Sequence, residues 1–271
     1  MTRTTHELAS PLQSTTPYQR EDVLPCDLEC NSPAYTASLQ WNLVFEPRTF
    51  RPGGRGLSMD ELASQCVAFF LAGYDTTAST LSFAAYLLAL NQNIQDKLRD
   101  EVDTMLEIYN GELTYEAIQS LKYMENVIRE TLRLYPPIYR LERQANADWQ
   151  LGKTGIILRK GMLVTVPIYA MNRDPKYWPD PETFNPDRFE TENRKEYCFL
   201  PFGTGPKACL GRRFAEMEMK VCLSYLMANF KIHTCPETKV PINFDKGLNG
   251  LLQPLDITLR MEIRENPPLI Q

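Results

Sequence analysis

Histidine is the residue that this sequence most nearly lacks, since only His6 and His233 are present. A Ser-His-Asp triad, a two-histidine zinc helix and most mixed Cys/His metal sites are therefore hard to assemble. The sequence also lacks the nucleophile elbow G-x-S-x-G and the metalloprotease pattern H-E-x-x-H. If the protein is an enzyme, we expect its difficult chemistry to come from a cofactor.

An excess of basic charge and an apolar leader are missing as well. The net charge of −5 argues against nucleic acid as a partner. No apolar segment opens the chain, so we expect neither a signal peptide nor a membrane anchor within it. The seven cysteines form no compact disulfide framework, which favours a reducing compartment.

The first 55 residues differ in composition from the rest. They are rich in Ser, Thr and Pro and show no sustained period, so an irregular segment is predicted over 1–55. Cys26 and Cys30 in this segment are interpreted as free thiols, because no second pair at metal-ligand spacing accompanies them. Regular structure is predicted over 56–271, as one domain.

A long helix is predicted to open this domain. Ser58 and Glu61 have the spacing of a capping box, and the apolar run after them predicts a helix from Met59 to about Leu90. A membrane span is the alternative interpretation. The mid-helix Asp75 argues against it, because an acid at the centre of a span disfavours insertion by about 2.5–3.5 kcal/mol.

The remaining patterns predict a fold that is mainly α with small β-sheets. Further helices are predicted over 93–109 and about 211–229, another helix or two over 114–135, and short strands over 138–170. A proline-rich stretch over 174–189 predicts a meander without regular structure.

Cys209 lies between a glycine-rich turn and the last predicted helix, and three interpretations compete for it. Gly203-x-Gly205-x-x-Ala208 formally matches the dinucleotide fingerprint, but no strand–helix–strand unit surrounds it. Cys209 can also be a small buried side chain at a helix start. In the third interpretation the helix N-terminus and Lys207 lower the pKa of the thiol, and glycines admit a large flat ligand. Such a site suits a thiolate that binds a cofactor metal.

The resemblance to a known family favours the third interpretation. Phe202-x-x-Gly205-x-Lys207-x-Cys209-x-Gly211 resembles the haem-binding signature of the cytochrome P450 family. Three further stretches match the family in its own order: Ala72-Gly73-Tyr74-Asp75-Thr76-Thr77, Glu130-Thr131-Leu132-Arg133 and Asn185-Pro186-Asp187-Arg188-Phe189. The similarity spans about 56–262, resembling the C-terminal half of animal microsomal members that oxidise lipophilic compounds. It therefore implies a partial cytochrome P450 fold.

The resemblance implies a role for each matching residue. The cofactor-binding residues are Arg143, Phe202, Lys207, Cys209 and Gly211. Cys209 is the implied metal ligand, axial to the haem iron. Asp75 and Thr76 are the implied catalytic pair, serving dioxygen and its protons. The alternative for the Thr76 hydroxyl is a hydrogen bond to a carbonyl of its own helix.

Other residues have implied supporting roles. Glu130 and Arg133 form a buried network with Arg188 beneath the cysteine loop, although spacing alone also allows a weak surface pair. By analogy, the walls over the haem are Phe69, Ala72, Ile138, Tyr139 and Leu251. Arg212, Arg213 and Lys220 form either a basic patch for an electron donor or a solvated helix face.

The function implied is a haem-dependent monooxygenase that inserts one atom of dioxygen into a lipophilic substrate. Its cofactor is haem b, and an NADPH-dependent reductase supplies the electrons. A full-length relative is expected on the cytosolic face of the endoplasmic reticulum membrane. Family members are longer, so we expect a C-terminal portion with poor haem retention. The alternatives are a catalytically impaired haem-binding fragment and a dinucleotide-binding protein.

Overall fold

The computed structural model describes residues 28–29, 57–190, 197–244 and 250–269. The predicted irregular segment 1–55 lies outside the described residues, apart from the strand at 28–29. Helices dominate the described part, as the sequence predicts. They are α1 Met59–Leu90, α2 Gln92–Ile108, α3 Tyr115–Ser120, α4 Lys122–Leu134, α5 Ile168–Met171 and α6 Arg212–Asn229.

Nine short strands accompany the helices in the described part of the chain. They are β1 Leu28–Glu29, β2 Leu141–Ala145, β3 Trp149–Gln150, β4 Ile157–Leu158, β5 Leu163–Val166, β6 Phe230–His233, β7 Asn243–Phe244, β8 Pro254–Leu255 and β9 Arg260–Ile263. All described pairings are antiparallel: β1–β2–β5, β3–β4, β6–β9 and β7–β8. The class is therefore mainly α with small sheets.

Helix α1 begins at the predicted capping box. The Glu61 N–H donates to the Ser58 hydroxyl over 3.2 Å, and the Ser58 N–H donates to the Glu61 carboxylate over 2.8 Å. From Thr77 onward most of the helix is buried, including Phe83 and Leu88. Before Thr77 its large apolar side chains are mostly exposed, and Phe70 is 66% accessible. The C-terminal half of α1 therefore belongs to the hydrophobic core, whereas its N-terminal half has an exposed apolar surface.

The core lies where α1, α2, α4 and α6 meet. Six side chains with no accessible surface mark its centre: Phe83, Leu98, Val102, Met124, Leu223 and Met227. Burying each such side chain contributes about 1.5–3 kcal/mol, so this cluster is a main source of stability. Phe199 and Phe202, where the cysteine loop begins, pack against this core.

A carboxylate of α2 caps the start of α4. The two Glu101 carboxylate oxygens accept the backbone N–H groups of Tyr123 and Met124 over 2.7 and 2.8 Å. The N-cap residue of α4 is Leu121, which has no side-chain acceptor to offer. Glu101 therefore satisfies donors that a local Ser, Thr or Asp usually satisfies.

None of the described helices is both long and apolar enough to cross a bilayer, including α1.

Candidate functional site

The loop around Cys209 is held by its own backbone hydrogen bonds. The Cys209 N–H donates to the Phe202 carbonyl over 2.8 Å, closing the loop around the 3₁₀ turn Gly205–Lys207. Gly203 and Gly205 both have positive φ, of 69° and 73°. An L side chain is strained at such values, so glycine is required for this loop shape.

The approach to the loop is open on the side of its glycines. A Cβ added at Gly205 or Gly211 would meet no atom within 4 Å. Cys209 itself is exposed, next to this open side. A flat group can therefore reach the backbone and the sulfur together, and the loop fits haem bound through one thiolate.

The pKa of the Cys209 thiol differs from the prediction. Although Cys209 is exposed, the protein atoms packed around the loop partly desolvate its thiol and raise its pKa. A hydrogen bond from the Gly211 backbone and the nearby Arg212 guanidinium lower this pKa, but by less. The helix start therefore lowers the thiol pKa as predicted, through Gly211 and Arg212 rather than Lys207, but desolvation outweighs it and the net pKa is raised. A coordinating metal ion deprotonates a thiol, so metal ligation is still compatible with this environment.

The carboxylate of Glu130 holds together the network that the sequence predicts. Arg133 donates to both of its oxygens over 2.8 Å, and Arg188 Nε donates to one of them over 2.9 Å. Neither the Glu130 nor the Arg133 side chain has accessible surface. The interpretation as a weak surface pair is thus excluded, and the buried network is confirmed.

This network also fastens the proline-rich stretch before the cysteine loop. Arg133 donates to the carbonyls of Asn172 and Pro181 over 2.8 and 2.7 Å, while the Asn185 N–H donates to Glu130 over 3.0 Å. Buried charges with this many hydrogen bonds are well satisfied. Most of the stretch is ordered by these bonds rather than by regular structure, in agreement with the predicted meander. Its end differs from the prediction, because Pro186–Phe189 forms a short 3₁₀ helix that begins at proline.

The predicted catalytic pair lies in the middle of α1, where both residues are half-buried. The Thr76 hydroxyl donates to the Ala72 carbonyl over 2.7 Å, which is the alternative that the sequence left open. Thr80 makes the same kind of bond to the Thr76 carbonyl over 2.8 Å. A hydroxyl that donates in this way keeps its lone pairs as acceptors. The pair thus retains the capacity to receive a hydrogen bond.

The predicted cationic partners lie on different elements. Arg143 lies in β2 and donates to the neighbouring Glu142 carbonyl over 2.8 Å, while Lys207 ends the 3₁₀ turn of the cysteine loop. Lys220 does not belong to a surface patch, because it is 4% exposed and faces Glu125 at 3.4 Å. The predicted patch of Arg212, Arg213 and Lys220 therefore loses its third member.

Two of the predicted pocket walls are brought together. Ile138 and Leu251 form an isolated antiparallel bridge, and the Leu252 N–H donates to the Pro137 carbonyl over 2.8 Å. The dinucleotide interpretation is disfavoured, because the described residues 197–202 before Gly203 form no strand. Within the described ranges, no group of three His, Cys, Asp or Glu side chains has the arrangement of a metal site.

Three aromatic rings near the loop form a cluster that the sequence analysis did not predict, although Phe189 belongs to one of the stretches that resemble the family. Trp178, Phe189 and Phe199 contact one another, with ring centroids 5.2 to 6.0 Å apart. Their spacing in sequence fits neither a helix nor a strand, so no periodicity marks them. The richness of this region in aromatic residues was the signal available.

The fold, the open cysteine loop and the buried network together define a mainly α protein of the haem-thiolate class. The family model described as Cytochrome P450 matches residues 43–261. The chain belongs to the cytochrome P450 family.

Several curated animal proteins are similar to this chain. Cytochrome P450 3A13 of Mus musculus is 43% identical over 220 residues, which are 80% of this chain and 41% of the relative. Cytochrome P450 3A5 of Homo sapiens is 42% identical over 78% of this chain and 42% of its own length. Cytochrome P450 9e2 of Blattella germanica is 45% identical over 70% and 37% respectively. The chain spans about two fifths of the length of these curated relatives.

Proposed function

We propose that this chain forms the haem-binding part of a monooxygenase that inserts one atom of dioxygen into a lipophilic substrate. An NADPH-dependent reductase supplies the electrons, and the full-length enzyme works at the cytosolic face of the endoplasmic reticulum membrane. The observation that carries the proposal is the exposed Cys209 thiol in a loop whose glycines leave the approach open. Family membership supports the same conclusion.

Four residues of the loop, with Arg143 from β2, would hold the cofactor. Cys209 would provide the thiolate ligand of the haem iron, and the Phe202 carbonyl fixes the Cys209 backbone through the 2.8 Å hydrogen bond. Gly211 leaves space beside the sulfur, while Lys207 and Arg143 provide cations for the propionates. When bound, haem iron with a thiolate ligand activates dioxygen, because the thiolate donates electron density that favours O–O cleavage.

Asp75 and Thr76 serve proton delivery in this proposal. The Thr76 hydroxyl is fixed by its bond to Ala72, so its lone pairs have a defined direction for accepting a hydrogen bond. Asp75, one residue earlier and half-buried, can exchange protons between solvent and the Thr76 hydroxyl region of α1. The two residues therefore hold and pass protons and contribute no covalent step.

A second candidate is a fragment that binds haem without turnover. The observation that favours it is the uncovered apolar part of α1, where Met59 is 78% and Tyr74 is 64% exposed. In this candidate the loop still binds haem, but substrate has no closed pocket. Haem titration combined with a turnover assay separates the two candidates.

The test is the carbon monoxide difference spectrum of the reduced, haem-loaded chain. We expect the band of a thiolate ligand in the wild type and its loss in Cys209→Ser. Cys222→Ser is the matched control, since Cys222 is half-buried on α6 outside the loop. A thiolate band that persists in Cys209→Ser, or disappears equally in Cys222→Ser, would contradict the assignment.

A further inference from the structure

The three rings Trp178, Phe189 and Phe199 form a closed set of contacts, which we call the aromatic triangle. The Phe189–Phe199 centroids lie 5.2 Å apart, Trp178–Phe199 5.8 Å and Trp178–Phe189 6.0 Å. The Trp178 and Phe199 rings meet edge to face, at 74°. Such tilted arrangements at these distances are the favourable ones for aromatic pairs.

The aromatic triangle is anchored on the side of the buried network. The Arg133 guanidinium lies 5.3 Å above the Trp178 ring, and that of Arg129 lies 4.8 Å above the Phe189 ring. Both rings are deeply buried, with 1% and 6% of their surfaces accessible. A cation over the face of an aromatic ring is attracted to the ring. Helix α4, which carries Glu130, therefore also holds the Trp178 and Phe189 rings of the triangle.

Phe199, the third residue of the triangle, immediately precedes the cysteine loop in the sequence. It directly precedes the turn 200–203, which the Gly203 N–H closes by donating to the Leu200 carbonyl over 3.1 Å. Within this turn, the Phe202 carbonyl accepts the Cys209 N–H. One turn and one hydrogen bond therefore connect Phe199 to the backbone of Cys209.

We propose that Phe199, held by Trp178 and Phe189, is a positioning residue that sets where the loop presents the Cys209 sulfur. The triangle links the buried network of α4 directly to the loop, across the sequence interval between Phe189 and Phe199. The inference rests on the proposed function in one respect, namely that the sulfur is presented to haem. Positioning itself is a property of the protein alone and is testable without haem.

The key variant is Phe199→Leu, which keeps apolar volume but removes the ring. Phe83→Leu is the matched control, because Phe83 is a buried ring of the core that stacks on Tyr135 at 4.7 Å. Phe199→Tyr keeps the ring at the tested position and is expected to behave as the wild type. Unfolding by denaturant identifies conditions in which all variants are folded to the same extent.

The haem-free measurement is the alkylation rate of Cys209, with Cys66 as an internal reference. Cys66 is an exposed thiol on α1, outside the loop. We expect Phe199→Leu to raise the Cys209/Cys66 rate ratio about three- to tenfold, the range that the loss of favourable ring pairs allows. Phe83→Leu leaves the ratio unchanged. An unchanged ratio in Phe199→Leu, or an equal rise in Phe83→Leu, overturns the proposal.

The second measurement is the fraction of bound haem that shows the thiolate band with carbon monoxide. We expect this fraction to fall in Phe199→Leu and to be maintained in Phe83→Leu and Phe199→Tyr. An equal fall in Phe83→Leu counts against positioning. If the wild type shows no thiolate band, the proposed function fails, and the alkylation ratio still decides whether the triangle positions Cys209.

Discussion

Replacing Glu130 by Gln is the sharpest test of the buried network. The carboxylate accepts four hydrogen bonds, two from Arg133 and one each from Arg188 and the Asn185 N–H. The amide of Gln provides one oxygen and turns an N–H₂ group towards one of these donors. Two guanidinium groups then lose their negative partner, and the side chain of Arg133 has no access to water.

The expected loss of stability follows from this geometry. Removing one partner of a buried ion pair typically destabilises a protein by about 3–5 kcal/mol, because the other charge is left uncompensated. Single domains unfold with only about 5–15 kcal/mol, so the substitution removes a large share of the total. We expect Glu130→Gln to lower the denaturation midpoint strongly or to abolish cooperative unfolding.

The assay is equilibrium unfolding in urea, followed by circular dichroism. Glu216→Gln is the matched control, because Glu216 forms an exposed pair with Arg212 at 2.9 Å on α6. Such pairs contribute at most about 0.5 kcal/mol. If Glu130→Gln costs no more than Glu216→Gln, the assignment of the network as a stabilising centre is refuted.

Four further substitutions test the site and its support. Thr76→Ala should uncouple oxygen consumption from product formation in the reconstituted full-length enzyme, and unchanged coupling would remove the proposed role. Lys207→Arg should slow haem dissociation, because a guanidinium can bind a propionate through two hydrogen bonds; haem transfer to apomyoglobin measures this, and a faster loss would contradict it. Glu101→Ala should destabilise the protein by about 1–2 kcal/mol through loss of the cap of α4, whereas no change in urea unfolding would show that water replaces the cap. Burial raises the pKa of Tyr135 to about 12, so the free energy of unfolding should fall between about pH 10 and pH 12. The unfolded state releases the Tyr135 phenol proton at a lower pH than the folded state does. Tyr135→Phe should therefore flatten the fall in the free energy of unfolding. A pH profile identical to that of the wild type would contradict the assignment.

Local patterns predicted the helices because their causes are local. The capping box of Ser58 and Glu61 and the apolar run behind it place α1 at Met59–Leu90, as the sequence predicts. The meander was predicted from its prolines, which disfavour long helices and strands, although Pro186–Phe189 forms a short 3₁₀ helix. Its fixed path could not be predicted from spacing, because it depends on Arg133 and Arg188, which lie far apart in sequence.

The errors concern burial, which a single sequence does not fix. The predicted pKa of Cys209 considered the helix start but not the shielding of the sulfur, which raises the pKa. Lys220 was assigned to a surface, yet the packing of α6 on α4 buries it beside Glu125. The contacts of Phe199 were missed because its ring partners come from other segments of the chain.

The cap that Glu101 provides has a consequence for protein engineering. Chimeras of related enzymes are made by exchanging blocks of sequence, and the interval between Glu101 and Lys122 offers an exposed connection for such a junction. A junction there would take the Glu101 carboxylate from one parent and the N–H groups at the start of α4 from the other. Recombination libraries should therefore inherit residues 101–124 as one block, and hybrids that split it should be under-represented among those that fold.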